Sequence, residues 1–238
     1  MGPAPTPDSA INSPVGAARL DGLMAVLGLR PRQRVIDVGC GNGEVLVRAV
    51  ERFAVAGVGI DRDPVAVSAA RATAGRRVPG ADLTFHEADA SAFPLGGGAF
   101  DVALCIGSAH ALGGYRSALA ALAQAIRPGG RVLIGELFWR CDPAEAYLAV
   151  PGEAKADRDD HAGNARVGAG RGLTLLYAAV SSEDEWDDFE GRHWTAALKV
   201  ERAGAVDEPK RERVRVWPDA YLRWGRRTLG FGLYVFQT

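Results

Sequence analysis

The residues best suited by type and spacing to do chemistry begin with Gly39-Cys40-Gly41-Asn42-Gly43, three glycines at alternate positions between an apolar run and a helical one. Glycines there let the chain turn tightly and let a ligand approach the backbone with no Cβ in the way. The helix that follows offers free N–H groups to a polar or anionic ligand. In a dinucleotide fingerprint, G-x-G-x-x-G, the third glycine would stand at the position of Glu44. The spacing is G-x-G-x-G instead, one position short. Asp61, about 20 residues beyond the turn, is placed to take two ribose hydroxyls, a feature that nicotinamide enzymes share. Asp89, in Glu87-Ala88-Asp89-Ala90, can accept an exocyclic adenine amine, and either acid would serve equally as a helix cap. His110, in Gly107-Ser108-Ala109-His110, and Glu136 are the candidate bases. The alternatives are a histidine that shapes its loop and an acid that pairs structurally. Tyr115, Phe138 and Trp139 are candidates to wall an apolar pocket, against the alternative of core packing.

These residues need elements to bring them together. Leu20, Leu23, Met24 and Leu27 recur at helical spacing in 17–27, and Gly28 is placed to end that helix. Short apolar runs then alternate with helical stretches. Strands are expected at 34–38, 56–60, 82–86, 100–106 and 131–136, with helices at 44–53, 64–73 and 115–126, the last stopped by Pro128-Gly129-Gly130. Such alternation implies an α/β fold: parallel strands, right-handed crossovers and helices on both faces of a doubly wound sheet. Ligands of such sheets bind at the carboxyl ends of the strands, where the glycine turn, Asp61, Asp89, His110 and Glu136 fall. Further on come a polar helical insert at 142–166, a strand at 173–180, and a helix opened by Ser182 and Glu185 in capping-box form. A helix at 218–229 and a strand at 232–236 close the chain.

Composition excludes several classes. With 238 residues, 47% hydrophobic and 24% charged, the chain can bury a large core without disulfides or metals. A net charge of −1 supplies no field toward nucleic acid or anionic lipid, and neither partner is expected. Cys40, Cys105 and Cys141 form no Cys-x-x-Cys pair, and no histidines have metal-ligand spacing, so no metal is expected and free thiols suit the cytoplasm. Residues 1–14, with four prolines, read as a flexible leader, and 15–238 as a single domain with a cofactor half at 30–138 and variable elements at 139–230. The start matches a loose myristoylation pattern, but the Ala/Arg/Gly-rich chain suggests a bacterial source where that modification is not expected. Lys210 to Arg215 and the acidic 183–190 read as solvated helix faces, and the oligomeric expectation is a monomer or homodimer.

As a set, VIDVGCGNGE, Asp61 after VGI, EADASAFPL, FDVALCIGSAHALGG and RPGGRVLIGE resemble, in order and spacing, the motifs of class I S-adenosylmethionine-dependent methyltransferases. The resemblance implies a mostly parallel seven-stranded sheet whose last strand is antiparallel. It implies S-adenosyl-L-methionine as cofactor and S-adenosyl-L-homocysteine as product. By it, Gly39, Gly41 and Gly43 approach the methionine part and Asp37 orients the amino-acid end. Asp61 binds ribose, Asp89 with Ala90 contacts adenine, and Cys40, Arg62, Cys105 and Ile106 complete the cofactor site. More narrowly, CIGSAHALGG, GELFW, SSEDEWDDFE and DAYLRWGRRTLGFGLYVFQ resemble a bacterial small-molecule subfamily near the quinone-biosynthesis methyltransferases, which often carries Lys where this chain has Asn42. Strand four lacks the Asn/Asp-Pro-Pro-Tyr run of enzymes that methylate adenine or glutamine, so a small-molecule acceptor with an O, N or C nucleophile is expected. A nicotinamide oxidoreductase and a non-catalytic S-adenosylmethionine-binding module are the alternatives.

Overall fold

The computed structural model describes residues 11–203 and 208–238. Seven strands form one sheet: β1 Arg34–Val38, β2 Ala56–Asp61, β3 Leu83–Glu87, β4 Phe100–Ile106, β5 Ile126–Trp139, β6 Thr174–Val180 and β7 Leu229–Gln237. Their spatial order is β3-β2-β1-β4-β5-β7-β6. β1 to β5 pair in parallel, and β7 runs antiparallel between β5 and β6, so the expected doubly wound sheet with an antiparallel last strand is present. Strand order reverses between β1 and β4, which puts the ligand crevice at their carboxyl ends.

Helices cover both faces. α1 Ala17–Leu27, α2 Glu44–Phe53 and α3 Pro64–Arg77 bury their apolar stripes on one side. α4 Tyr115–Ala125 packs on the other, and beyond the short α5 Glu145–Leu148 so does α6 His161–Ala169. Between β6 and β7 the chain makes an excursion through α7 Glu183–Arg202, α8 Glu208–Ala220, a π turn Tyr221–Gly225 and α9 Arg226–Thr228. Local chemistry sets the ends. Gly28 takes φ 57° to close α1. Asp63 caps α3 by accepting from the Val65 N–H, with Pro64 following at the first helical position. Ser182 and Glu185 form the expected reciprocal box at the start of α7.

Several boundaries differ from the sequence expectation. β5 starts at Ile126, because Ile126 is already extended (ψ 149°) and pairs with Phe100. Pairing then jumps from Phe100–Ile126 to Val102–Arg131, so Pro128-Gly129-Gly130 make an irregularity within the strand rather than a separate stop. β5 also continues to Trp139, because β7 pairs with it from Gln237 back to Leu229. α3 runs four residues beyond Thr73, to Arg77, whose guanidinium is held by Glu44 and Glu51. The 142–166 insert is helical in three short pieces, Glu145–Leu148, Lys155–Asp157 and the start of His161–Ala169, joined by irregular chain, and Pro218 lies inside a helix instead of opening one. Of the leader, residues 1–10 lie outside the described residues, while Ser13 and Pro14 are buried.

Candidate active site

The glycine turn lies between β1 and α2. Gly39, Gly41 and Gly43 have φ of 73°, 53° and 76°, in the left-handed region. At Gly39 the requirement is also steric, since a Cβ would stand 2.2 Å from that of Ser108. At Gly41 a Cβ would meet nothing within 4 Å, so the backbone there faces open space. The turn is tied to β2: the Gly39 and Cys40 N–H groups both donate to the Ile60 carbonyl, at 2.8 and 3.0 Å. Asp61 completes the brace, its Oδ2 accepting from the Gly41 N–H at 2.8 Å and its Oδ1 from the Asp63 N–H at 3.0 Å.

The remaining cofactor candidates gather along this edge. Asp37, at the heart of the sheet between Gly59 and Leu104, is buried, and its Oδ2 has no hydrogen-bond partner among the described residues. Burial, with the Asp61 carboxylate adding to it, pushes Asp37 up to about 7. Asp89 is exposed past β3 and its Oδ1 accepts from both the N–H and Oγ of Ser91, which hold its carboxyl below the usual range, with Arg62 contributing. Asp89 therefore fills the turn-capping role as well, leaving Oδ2 outside that turn. Ala90 and Cys105 are buried, and Ile106 is half-buried.

At the end of β4, Ser108 Oγ donates to the Gly39 carbonyl at 3.2 Å, joining the two sides of the crevice. His110 sits exposed on the turn Ala109–Leu112. Glu136, near the carboxyl end of β5, is half-buried; its Oε1 accepts from the Leu137 N–H at 2.8 Å, and burial raises its carboxyl. The fields of Asp37 and Glu136 both reach the Cys105 thiol, which burial pushes well up. Tyr115 lies in the field of Glu136, donates its hydroxyl to the Asn164 carbonyl at 2.9 Å and meets the Tyr234 ring edge-on. Phe138 and Trp139 belong to the packing instead. Phe138 lies against His161, with centroids 4.9 Å apart, and fills the space over Gly230. The Trp139 indole donates to the Lys155 carbonyl beneath the Arg158 guanidinium.

The chain as a whole has counterparts among known proteins. A family model described as a methyltransferase domain matches residues 35–130. A crystal structure of an S-adenosylmethionine-dependent methyltransferase from Geobacter sulfurreducens, in complex with S-adenosyl-L-homocysteine, superposes with a TM-score of 0.83 at 28% identity, covering 96% of this chain and 94% of that one. The chain is an S-adenosylmethionine-dependent methyltransferase with the class I fold. The uncharacterized protein YjhP of Escherichia coli (strain K12) is 27% identical over 94% of this chain and 92% of its own length. The 27-O-demethylrifamycin SV methyltransferase of Amycolatopsis mediterranei is 31% identical over 79% of this chain and 62% of that enzyme.

The methyltransferase presents two features that fit its cofactor. The unpartnered Asp37 Oδ2 suits a cationic or N–H donor, and the open backbone face at Gly41 leaves room for a ligand's approach. Beside this edge lies a part that the sequence motifs did not reveal. Glu185 accepts from the Gly16 N–H at 2.8 Å and from Arg19 Nε, as well as from its own capping partner Ser182. It thereby fastens the segment before α1, which includes the buried Ser13 near Gly107, to the start of α7. Trp186 and Trp194 of α7 both meet the Tyr221 ring of the π turn, and the Trp217 indole of α8 donates to the buried Glu190 at 2.7 Å. The capping-box pattern pointed to Glu185. Its partner 169 residues away had no local signal.

Proposed function

We propose that the methyltransferase acts on a small-molecule acceptor whose O, N or C nucleophile is delivered between the ends of β4 and β5, with Glu136 as proton acceptor. The observation carrying this reading is Glu136 itself: a half-buried carboxyl near a strand end at the crevice, held through one oxygen and raised by burial toward the range useful to a base. His110, exposed at the mouth, is the second base.

When bound, the cofactor supplies an electrophilic methyl group on a sulfonium, so the chain must mainly align the acceptor and exclude water. In this reading Asp37 with Gly39, Cys40, Gly41 and Gly43 hold the amino-acid end. Asp61 and Arg62 hold the ribose, Asp89 and Ala90 the adenine, and Cys105 and Ile106 the floor at β4. Asp61 serves two purposes, since its carboxylate also fixes the Gly41 backbone. Tyr115 and the α7–α8 aromatics bound the acceptor side. A small acceptor agrees with the net charge of −1 and with the named activity of the rifamycin-modifying relative.

Turnover against a panel of phenols, quinols and amines tests the acceptor class. With an accepted substrate, Glu136→Gln is expected to lower kcat by about a hundredfold or more with S-adenosylhomocysteine affinity unchanged, and His110→Ala to have a smaller effect. Unchanged kcat in Glu136→Gln would remove Glu136 from the chemistry.

A further inference from the structure

The two edges of the sheet are finished differently. At one edge, β3 shows Thr84, His86 and Glu87 to solvent, the polar and charged dressing that keeps an open strand from pairing. At the other edge, β6 has the sequence Thr-Leu-Leu-Tyr-Ala-Ala-Val, with no charge and no proline. Leu175, Leu176 and Tyr177 are consecutive and 42%, 39% and 41% exposed. Among the described residues β6 pairs only with β7, so the backbone N–H and C=O groups on its outer side have no ladder partner there. An uncharged apolar edge of this kind is a template for another strand.

We propose that this edge is the interface of a homodimer in which β6 pairs antiparallel with β6 of a second copy, joining two seven-stranded sheets. The occupant follows from the sequence around the strand. A two-fold axis near Tyr177 sets Leu175–Leu176 of one copy against Ala178–Ala179 of the other, so large side chains face small ones in both halves. The same operation carries exposed Arg171, just before β6, to the exposed Ser182-Glu183-Asp184 segment that opens α7, and it does so twice. Arg171 and Asp184 have no ion-pair partner among the described residues, whereas Glu183 is shared with Arg226. β6 carries an irregularity at Leu176 in its pairing with β7, and a one-residue shift of the proposed register would still leave Arg171 opposite that acidic segment. A strange peptide would find the backbone edge but not this self-complementary pattern of size and charge. With only seven residues in the strand, the interface is at the small end for stable association, so the dimer is of micromolar strength.

Sedimentation velocity of the full chain across a concentration series reads the assembly directly. The expected result is a reversible dimer that is predominant at tens of micromolar. Leu175→Lys with Tyr177→Lys, at exposed positions away from the crevice, should give a monomer with unaltered circular dichroism and S-adenosylhomocysteine affinity. Arg171→Glu should weaken the dimer by about tenfold, and Arg171→Glu combined with Asp184→Arg should restore it. Hydrogen exchange of the wild-type chain gives a readout independent of variants, because amides of 174–180 should become more protected as concentration rises. A wild-type chain that stays monomeric at all concentrations overturns the proposal. So does a dimer that neither the lysine pair nor the charge reversal weakens, or whose β6 amides exchange independently of concentration.

Discussion

Gly39→Ala isolates how the crevice is built, and its effect can be worked from the geometry. Gly39 has φ 73°, where an alanine costs about 1–2 kcal/mol. The added Cβ would also stand 2.2 Å from Ser108 Cβ and 2.3 Å from its Oγ, far inside contact. Forcing such an overlap costs about 1–3 kcal/mol more once neighbours shift. The single variant should therefore lose about 2–5 kcal/mol. Ser108→Gly in the same chain removes both overlapping atoms and leaves Ser108 Cα at 3.7 Å, an ordinary contact. The double variant should recover the overlap and keep the strain. Ser108→Gly alone gives up the hydroxyl's 3.2 Å bond to Gly39, about 1 kcal/mol. Urea denaturation of the four proteins closes a double-mutant cycle, with a favourable coupling of about 1–3 kcal/mol between the two sites. A Gly39→Ala chain as stable as the wild type, or a cycle with no coupling between the two sites, would refute the idea that Ser108 sets the shape of the turn.

Asp37 gives a signed pH prediction. Its folded value, about 7, stands well above the ordinary range of a free aspartate, so the folded state holds the proton more tightly than the unfolded chain does. Its contribution is therefore full below about pH 4 and is lost as pH rises through about 7. Urea midpoints should fall over that window, and Asp37→Asn should flatten the fall; an equal slope in the variant contradicts the assignment. Glu185→Ala removes the shared acceptor of Gly16, Arg19 and Ser182, and should cost about 2–3 kcal/mol in thermal unfolding while speeding amide exchange in α1's first turn. Unchanged exchange there would mean that the link to α7 does not hold the segment.

The fold was legible where local signals agreed. β1, α2 and β4 stand at their expected boundaries because an apolar run, a glycine turn and a helical period succeed one another without conflict. β5 was misjudged because Pro128-Gly129-Gly130 read as punctuation, and only its neighbours show that the chain resumes pairing across them. Its extension to Trp139 depends on β7, which lies some ninety residues later in sequence. Within the site, alternation marked the glycines and the strand ends marked the acids, so their common edge could be foreseen. Phe138 and Trp139 show the limit of that reasoning. A residue near a strand end faces either the crevice or a packed helix, and α6 and the 155 loop claim these two. The contacts of Ser108 with Gly39 and of Glu185 with Gly16 join distant segments through single side chains, which leave no periodic trace in sequence.

Calorimetric titration with S-adenosylhomocysteine asks whether the glycine turn braced by Asp61 holds the methyltransferase's cofactor. Wild-type chain should bind S-adenosylhomocysteine and show no heat with NADH. Asp61→Ala removes the acceptor of the Gly41 and Asp63 N–H groups together with the proposed ribose contact, and should weaken binding by about 2–3 kcal/mol, roughly 30- to 150-fold. Absence of S-adenosylhomocysteine binding by the wild type, or equal affinity in Asp61→Ala, would contradict the account.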